Sequence, residues 1–415
     1  MDVVIATPAL AGPGGAQSYA LTAGEHIARL GHHVTLYAHE LGHVAEQAVE
    51  AGLAVAGSPA ALPDRADTVI TGVSQALALE LAGRYPDATR LWVVHGENLH
   101  MPPAVPGVVA ASVALNDRTA QLAAAVPGAG EVVRLRQPVD LRRFSPRGEP
   151  APAPRRVLLF GNYHAHPGER ATLLREAWAG ADLEWRTAGW PALELDPVAA
   201  IAEADIVVGI GRCALEGMAC ARPVYVHDHA GSDGWITPGR YEAVEAGGFA
   251  VSTARLPPDA ARLRADLEAY DPALGRAGQD LARMHHDARR HAADLVALAE
   301  RLAPEPFALD RSATRALMLL AEAQIRAETA AERYRIEARQ WAARFQTLHR
   351  EHEEERIAWV AERDEERAAA TRRQAEAATE AGAEAERRLA ALKATRRYKL
   401  GAVLARPLDR LRRGR

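Results

Sequence analysis

Apolar residues in the first half of this chain come as short runs separated by stretches of helical spacing. "DVVIATPAL" is the first run and fits a strand buried on both faces. "AGPGG" breaks it. "AQSYALTAGEHIARLG" then sets Tyr19, Leu21, Ile27 and Leu30 near one side of a helix, with Gly31 as its stop. "HHVTLYA" is the next strand. Strand, glycine turn, helix, strand is a βαβ unit, and its repetition predicts a parallel sheet covered by helices on both faces. "DTVITGV", "RLWVVHG" and "GVVAASVAL" extend the sheet.

The segment Ser145–Arg156, "SPRGEPAPAPRR", has four prolines in twelve residues and reads as a linker. The pattern restarts at "VLLFGN" and continues through "LEWRTAG", "ADIVVGIG" and "RPVYVHDH", each followed by a helix. Two α/β units are therefore expected, at 1–144 and 157–306. Ligands bind such an architecture at the carboxyl ends of its strands, in the cleft between the units. After "APEPF" the period changes. From Leu317 and Leu320 through Tyr334, Trp341, Phe345 and Leu348 to Trp359, apolar positions alternate by three and four, and the seam turns polar from His352. This heptad pattern predicts a coiled coil over 307–392, with a single solvated helix as the alternative.

Charge adds one feature. The chain of 415 residues carries a net charge of −4, but 393–415 alone holds nine Lys/Arg against one acid, leaving −12 on the rest. The whole has no nucleic-acid footprint. The tail interleaves Tyr398, Leu400, Val403, Leu404, Leu408 and Leu411 with basic residues, and Gly401 and Pro407 split it into two short amphipathic helices. It suits an anionic membrane surface or is a solvated basic end. Cys213 and Cys220 stand seven apart on one helix, about 10 Å, too far for a disulfide. No leader pattern and no apolar run long enough to span a membrane is found, so a cytoplasmic protein is expected, at most peripheral at the inner face of the membrane.

Two glycine turns carry candidate chemistry. In "GPGGAQ", Gly14 and Gly15 let backbone approach a ligand before a helix. In "ADIVVGIGRCALEGMACARPVYV", Gly209, Gly211 and Arg212 stand where a diphosphate would meet a helix N-terminus. Glu216, about one turn further, is placed to accept both hydroxyls of a ribose, or else is a helix glutamate at a domain boundary. "VVHGENLH" puts His95 just past a strand, facing the expected cleft. His164 and His166 could reach the same cleft. "HDH" (His227, Asp228, His229) lacks a third convergent ligand, so no metal is expected.

Three segments resemble the GT-B glycosyltransferases of the retaining family 4 type, in order, across about 300 residues. They are "GGAQSYALTAGEHIARLGHHVTLYA", "RQPVDLRRFSP" (usually "NGVD…F.P") and "ALEGMACARPVYV" (usually "LEAMACG.PVV"). The resemblance implies two Rossmann-like domains, a nucleotide diphosphate sugar as donor substrate rather than a cofactor, retention of configuration, and no bound metal. It implies a sugar-contacting role for His95 and a ribose-binding one for Glu216. That family's first acid falls at Val208, where none stands. Its basic diphosphate pair is reduced to Arg170, shifted in position, with Arg212 as the other candidate charge. The expected activity is sugar transfer to a glycan or lipid-linked acceptor, as in polysaccharide biosynthesis, by an enzyme that self-associates through its coiled coil. A non-catalytic relative acting as a scaffold and a nucleotide-sugar epimerase are the alternatives.

Overall fold

A computed structural model of the chain describes residues 1–96, 101–161, 169–189, 196–228, 231–250, 260–302 and 311–394. His164, His166, His229 and the tail from 395 onward lie outside the described residues. Two compact units make up the chain, Met1–Glu337 and Ala338–Arg415.

The first unit opens with β1 (Asp2–Ala6), β2 (Ala9–Leu10), α1 (Gly15–Arg29), β3 (His33–Tyr37), β4 (Glu40–Leu41), α2 (His43–Glu50) and β5 (Ala54–Ala56). It continues with β6 (Thr68–Thr71), α3 (Gln75–Arg84), β7 (Thr89–Val94), β8 (Ala111–Ala114), α4 (Asp117–Ala124) and β9 (Glu131–Arg134). The main sheet has the order β5-β3-β1-β6-β7-β8-β9 and is parallel throughout. The run "DVVIATPAL" divides in two. β1 enters this sheet, while β2 pairs with β4 in a separate small ribbon over its end.

The chain then forms β10 (Arg156–Phe160), α5 (Glu169–Ala177), β11 (Glu184–Ala188), α6 (Pro197–Glu203), β12 (Ile206–Gly209), α7 (Gly211–Ala219), β13 (Val224–Asp228) and β14 (Gly231–Trp235). Helices α8 (Tyr241–Ala246), α9 (Ala260–Glu268), α10 (Ala273–His285), α11 (Ala288–Arg301) and α12 (Arg311–Ala394) follow. The second sheet has the order β11-β10-β12-β13-β14, with only β14 antiparallel. Glycine, serine and aspartate disfavour strands, so "GSDGW" does not look like one. Tertiary contacts override that propensity. Trp235 stacks on Trp178 and meets Tyr225 edge-on, and the Ser232 hydroxyl donates to the Val226 carbonyl at 3.2 Å.

The proline-rich segment is laid down on the second sheet rather than hanging free. The buried Asp205 carboxylate accepts from the backbone N–H groups of Ala151, Arg155 and Arg156 at 2.9–3.1 Å. Arg222, also buried, donates to the carbonyls of Arg147 and Gly148. Helix α11 falls inside the stretch 157–306, yet it packs on the first sheet. Ala292, Leu295, Leu298 and Ala299 share one core with Ala20, Ala23 and Ile27 of α1. Each fully buried leucine there contributes about 1.5–3 kcal/mol.

Two histidines clamp the crossing between the sheets. The Nδ1–H groups of His291 and His286 donate to the carbonyls of Arg136 and Gln137, at 3.0 and 2.7 Å. Carbonyls only accept, so both rings must be the Nδ1–H tautomer. Their Nε2 atoms then accept from Tyr19 and Tyr241, at 2.8 and 2.7 Å. Val139 and Asp287 add a parallel bridge. Burial pushes the rings down, to about 3 for His286 and about 4 for His291. Above the ordinary histidine value the folded and unfolded rings are both neutral. As pH falls below it, only the unfolded rings gain protons, so stability is lost by roughly 2 kcal/mol per ring at about pH 5. Denaturant melts at about pH 7 and about pH 5 should show that loss, and His291→Asn should shrink it by roughly 2 kcal/mol. An unchanged pH dependence in the variant contradicts a neutral buried ring.

Candidate functional site

The carboxyl ends of both parallel sheets carry the candidate residues, and their local geometry follows from close packing. β12 ends at Gly209 and α7 begins at Gly211, with only Ile210 between them. A side chain at Gly209 would place its Cβ 2.9 Å from the Phe160 carbonyl oxygen and 3.2 Å from Cβ of Cys213. Only glycine lets the strand end pass so close to the helix start. Gly211 adopts φ +55. Its N–H donates to the Phe249 carbonyl at 2.9 Å, and the Cys213 N–H donates to the Ile210 carbonyl at 3.1 Å. Two donors of the first helical turn are thus used within the protein, which narrows the anion site expected there. Phe249 itself is left-handed, at φ +55. That conformation costs about 1–2 kcal/mol for a side chain of this kind. Its ring is buried in the second core against Tyr241 and His286, which fixes the carbonyl over Gly211.

Arg212 and Glu216 form a buried ion pair. Nε of Arg212 donates to Oε1 of Glu216 at 2.7 Å, with both side chains about nine-tenths covered. One guanidinium Nη reaches the Pro138 carbonyl at 3.3 Å, and the other reaches Oγ1 of Thr22, on α1, at 3.0 Å. Burial raises the Glu216 carboxyl above the usual carboxylate range, and Arg212 and Arg143 oppose that rise. The other carboxylate oxygen, Oε2, is not taken by Arg212. Arg212 therefore holds Glu216, the Pro138 carbonyl and Thr22 rather than pointing freely over the helix end.

Val208 answers the question of a missing second acid. It is fully buried in the core that contains Leu159, Trp178 and Tyr225. A carboxylate at that position would point into apolar packing, away from the cleft. The direct join of β12 to α7 leaves no loop in which such an acid could stand.

His95 follows β7 and is half-buried. Burial pushes its ring down to about 4, so it is neutral near pH 7. Tyr19 of α1 meets it edge-on, with ring centroids 5.1 Å apart, and Gly72 lies against it closely enough that a Cβ there would be 3.0 Å from Nε2. Gly14 is the N-cap of α1 in extended conformation, and a Cβ on Gly15 would meet nothing within 4 Å. A Cβ on Gly14 would meet the end of the Gln17 side chain, so internal packing bears on Gly14 and not on Gly15. Arg170 lies in the first turn of α5, and its side chain is outside the described residues. Both cysteines are free thiols, and burial pushes Cys220 up to about 12. His227 is buried on β13. Among the described residues no group of three His, Cys, Asp or Glu could hold a metal ion.

The fold has solved relatives. A crystal structure of Anabaena HepE in complex with UDP and glucose superposes with a TM-score of 0.52 at 12% identity, covering 73% of this chain and 100% of that one. The fold is GT-B. A glycosyltransferase from Rickettsia africae matches at TM-score 0.49 and 14% identity, over 72% of this chain and 97% of its own. Sucrose-phosphate synthase from Thermosynechococcus elongatus matches at 0.46 and 15%, over 72% and 98%. No family model and no curated protein sequence matches the chain.

Within this GT-B frame a second residue, besides Phe249, is out of step with its backbone. Ala221 ends α7 at φ +56, where the Ala221 and Arg222 N–H groups close onto the carbonyls of Met218 and Gly217. The pattern "LEAMACG" has glycine at that place. Ala221→Gly should stabilise the protein by about 1 kcal/mol, and Gly209→Ala should destabilise it by about 1–3 kcal/mol, both read by chemical denaturation. Equal effects of the two substitutions would contradict the backbone assignments.

Proposed function

We propose that the protein transfers a sugar from a nucleotide diphosphate sugar to an acceptor. The observation that carries this reading is Glu216: a buried carboxylate on α7, held by Arg212, at the carboxyl end of the second sheet of a GT-B fold. Its Oε2 is available to ribose hydroxyls. The phosphates would lie toward Gly209, Gly211 and Arg170, and the sugar toward His95, with Gly14 and Gly15 permitting close backbone approach. Arg212 acts on the nucleotide through Glu216. Among the described residues no side chain is placed as a nucleophile, so the leaving diphosphate oxygen takes the acceptor proton, and the protein's share is positioning and charge stabilisation. Family 4 membership, retention, a hexosyl donor and metal independence belong to this proposal on the strength of the motif resemblance. So do a glycan or lipid-linked acceptor and a place at the inner face of the membrane. Among the described residues no helix is long and apolar enough to cross a membrane.

Binding and slow hydrolysis of UDP-, GDP- and dTDP-sugars test the site. At least one should bind, and Glu216→Ala should weaken it roughly 10- to 100-fold, the value of hydrogen bonds to a charged group. No binding, or binding indifferent to the substitution, rules out the donor site. The direct β12–α7 join, which leaves no place for a second acid, favours one other reading: a protein that binds nucleotide sugar without turnover. Binding without hydrolysis or transfer would select it.

The long helix α12 supports self-association. Trp341, Phe345, Leu348 and Trp359 are 59–71% exposed on it, at heptad spacing. Such a seam is covered when two copies pair. Sedimentation should show a dimer for the full chain and a monomer for Phe345→Glu combined with Leu348→Glu. A wild-type monomer at every concentration disposes of the coiled coil.

A further inference from the structure

Helix α1 buries three polar side chains on one face: Tyr19, Thr22 and His26, at i, i+3 and i+7. A core-facing stripe at that spacing is expected to be apolar, and buried polar groups require partners. Tyr19 and Thr22 find theirs on α11 and α7, while His26 approaches an acid without a hydrogen bond. The Tyr19 hydroxyl donates to His291 of α11 at 2.8 Å. Oγ1 of Thr22 accepts from Arg212 of α7 at 3.0 Å. Nε2 of His26 lies 3.4 Å from Oδ1 of Asp140, in the segment that joins the two sheets. The same Tyr19 ring backs His95.

We propose that Thr22 is a positioning residue lent by the first half to the donor site of the second, setting Glu216 through Arg212. Because Tyr19 on the same face backs His95, α1 registers the nucleotide end of a bound donor against its sugar end. The inference rests on the donor-site reading above. Its physical basis is the guanidinium fork. Nε is fixed by Glu216, one Nη by the Pro138 carbonyl and the other by Thr22, so three elements define one plane. Removal of the Thr22 hydroxyl frees one arm, and the plane can swing off Glu216. The charged and titratable groups around Glu216 are Arg212, Cys213 and Cys220 on its own helix and Arg143 from the joining segment. From α1 the neutral Thr22 reaches Arg212, and His26 lies 3.4 Å from Asp140.

Thr22→Val keeps the shape and removes the hydroxyl, and Thr22→Ser restores it. Two readouts are compared with wild type: the affinity of the bound nucleotide sugar across pH, and the hydrogen exchange of amides 212–219. Thr22→Val should weaken binding roughly tenfold near neutral pH, the loss expected for one misplaced charge-assisted contact. It should also move the acid limb of the binding profile to higher pH, because a less well placed Arg212 leaves Glu216 easier to protonate. Exchange over 212–219 should quicken, and Thr22→Ser should return both readouts to wild type. Equal affinity, pH profile and exchange in Thr22→Val and wild type would overturn the proposal. If the wild type binds no nucleotide sugar while Thr22→Val still quickens exchange, the donor reading fails and the tie between the halves stands.

Discussion

The buried Arg212–Glu216 pair is the constraint around which the two sheets are arranged. A carboxylate this deeply covered is destabilised by lost hydration, and it stays in place because a guanidinium meets it at 2.7 Å. Removing either partner of such a pair costs about 3–5 kcal/mol, since the survivor is left uncompensated. The guanidinium has further donors to satisfy. It does so with a carbonyl of the joining segment and a hydroxyl of α1. The polar requirements of one residue thereby tie the second sheet, the crossing and the first sheet together.

The same logic repeats around the crossing. His286 and His291 each bridge a backbone carbonyl, of Gln137 and Arg136, and a tyrosine hydroxyl. Arg134 grips Glu245 of α8 through two contacts of 2.6 and 2.8 Å, and Asn116 occupies the space beside Gly248 where a side chain would stand. Polar contacts give a fixed geometry where a purely apolar seam would slide. A ligand that spans a cleft needs that fixity, because a small error in position removes much of the benefit of orientation. His95 follows the first sheet and Glu216 stands on a helix of the second; Tyr19 of α1 meets the His95 ring edge-on and Thr22 of α1 holds Arg212, the partner of Glu216.

Much of this was legible in the residues themselves. The alternation of apolar runs and helical stretches marked β1, β6, β7, β8, β10, β12 and β13, because strands buried on both faces must be apolar along their length, and it also marked β3 and the half-exposed edge strand β11. The glycines at 209 and 211 stood out as a turn that could receive a diphosphate; the structure gives them a packing reason at Gly209 and a left-handed backbone at Gly211. Other features left weak traces. The buried strand of "GSDGW" opposes its own propensity and exists because Trp178 and Tyr225 receive Trp235. The proline-rich stretch read as a linker, and nothing nearby in sequence announces Asp205 as its anchor. The polar stripe Tyr19, Thr22, His26 was visible at i, i+3, i+7, but it hides behind the apolar residues of the same helix.

By itself the sequence determined the secondary structure period, the two α/β halves, the long terminal helix and the identity of the odd acid, Glu216. These follow from side-chain chemistry within a few residues, which is what periodicity and glycine turns record. Tertiary structure alone decided that Arg212 reaches Thr22 and the Pro138 carbonyl, that Val208 is a core position, and that α11 returns to the first sheet. Each of these depends on contacts between residues far apart in the chain. Such contacts are set by which buried donor reaches which acceptor once the sheets have packed.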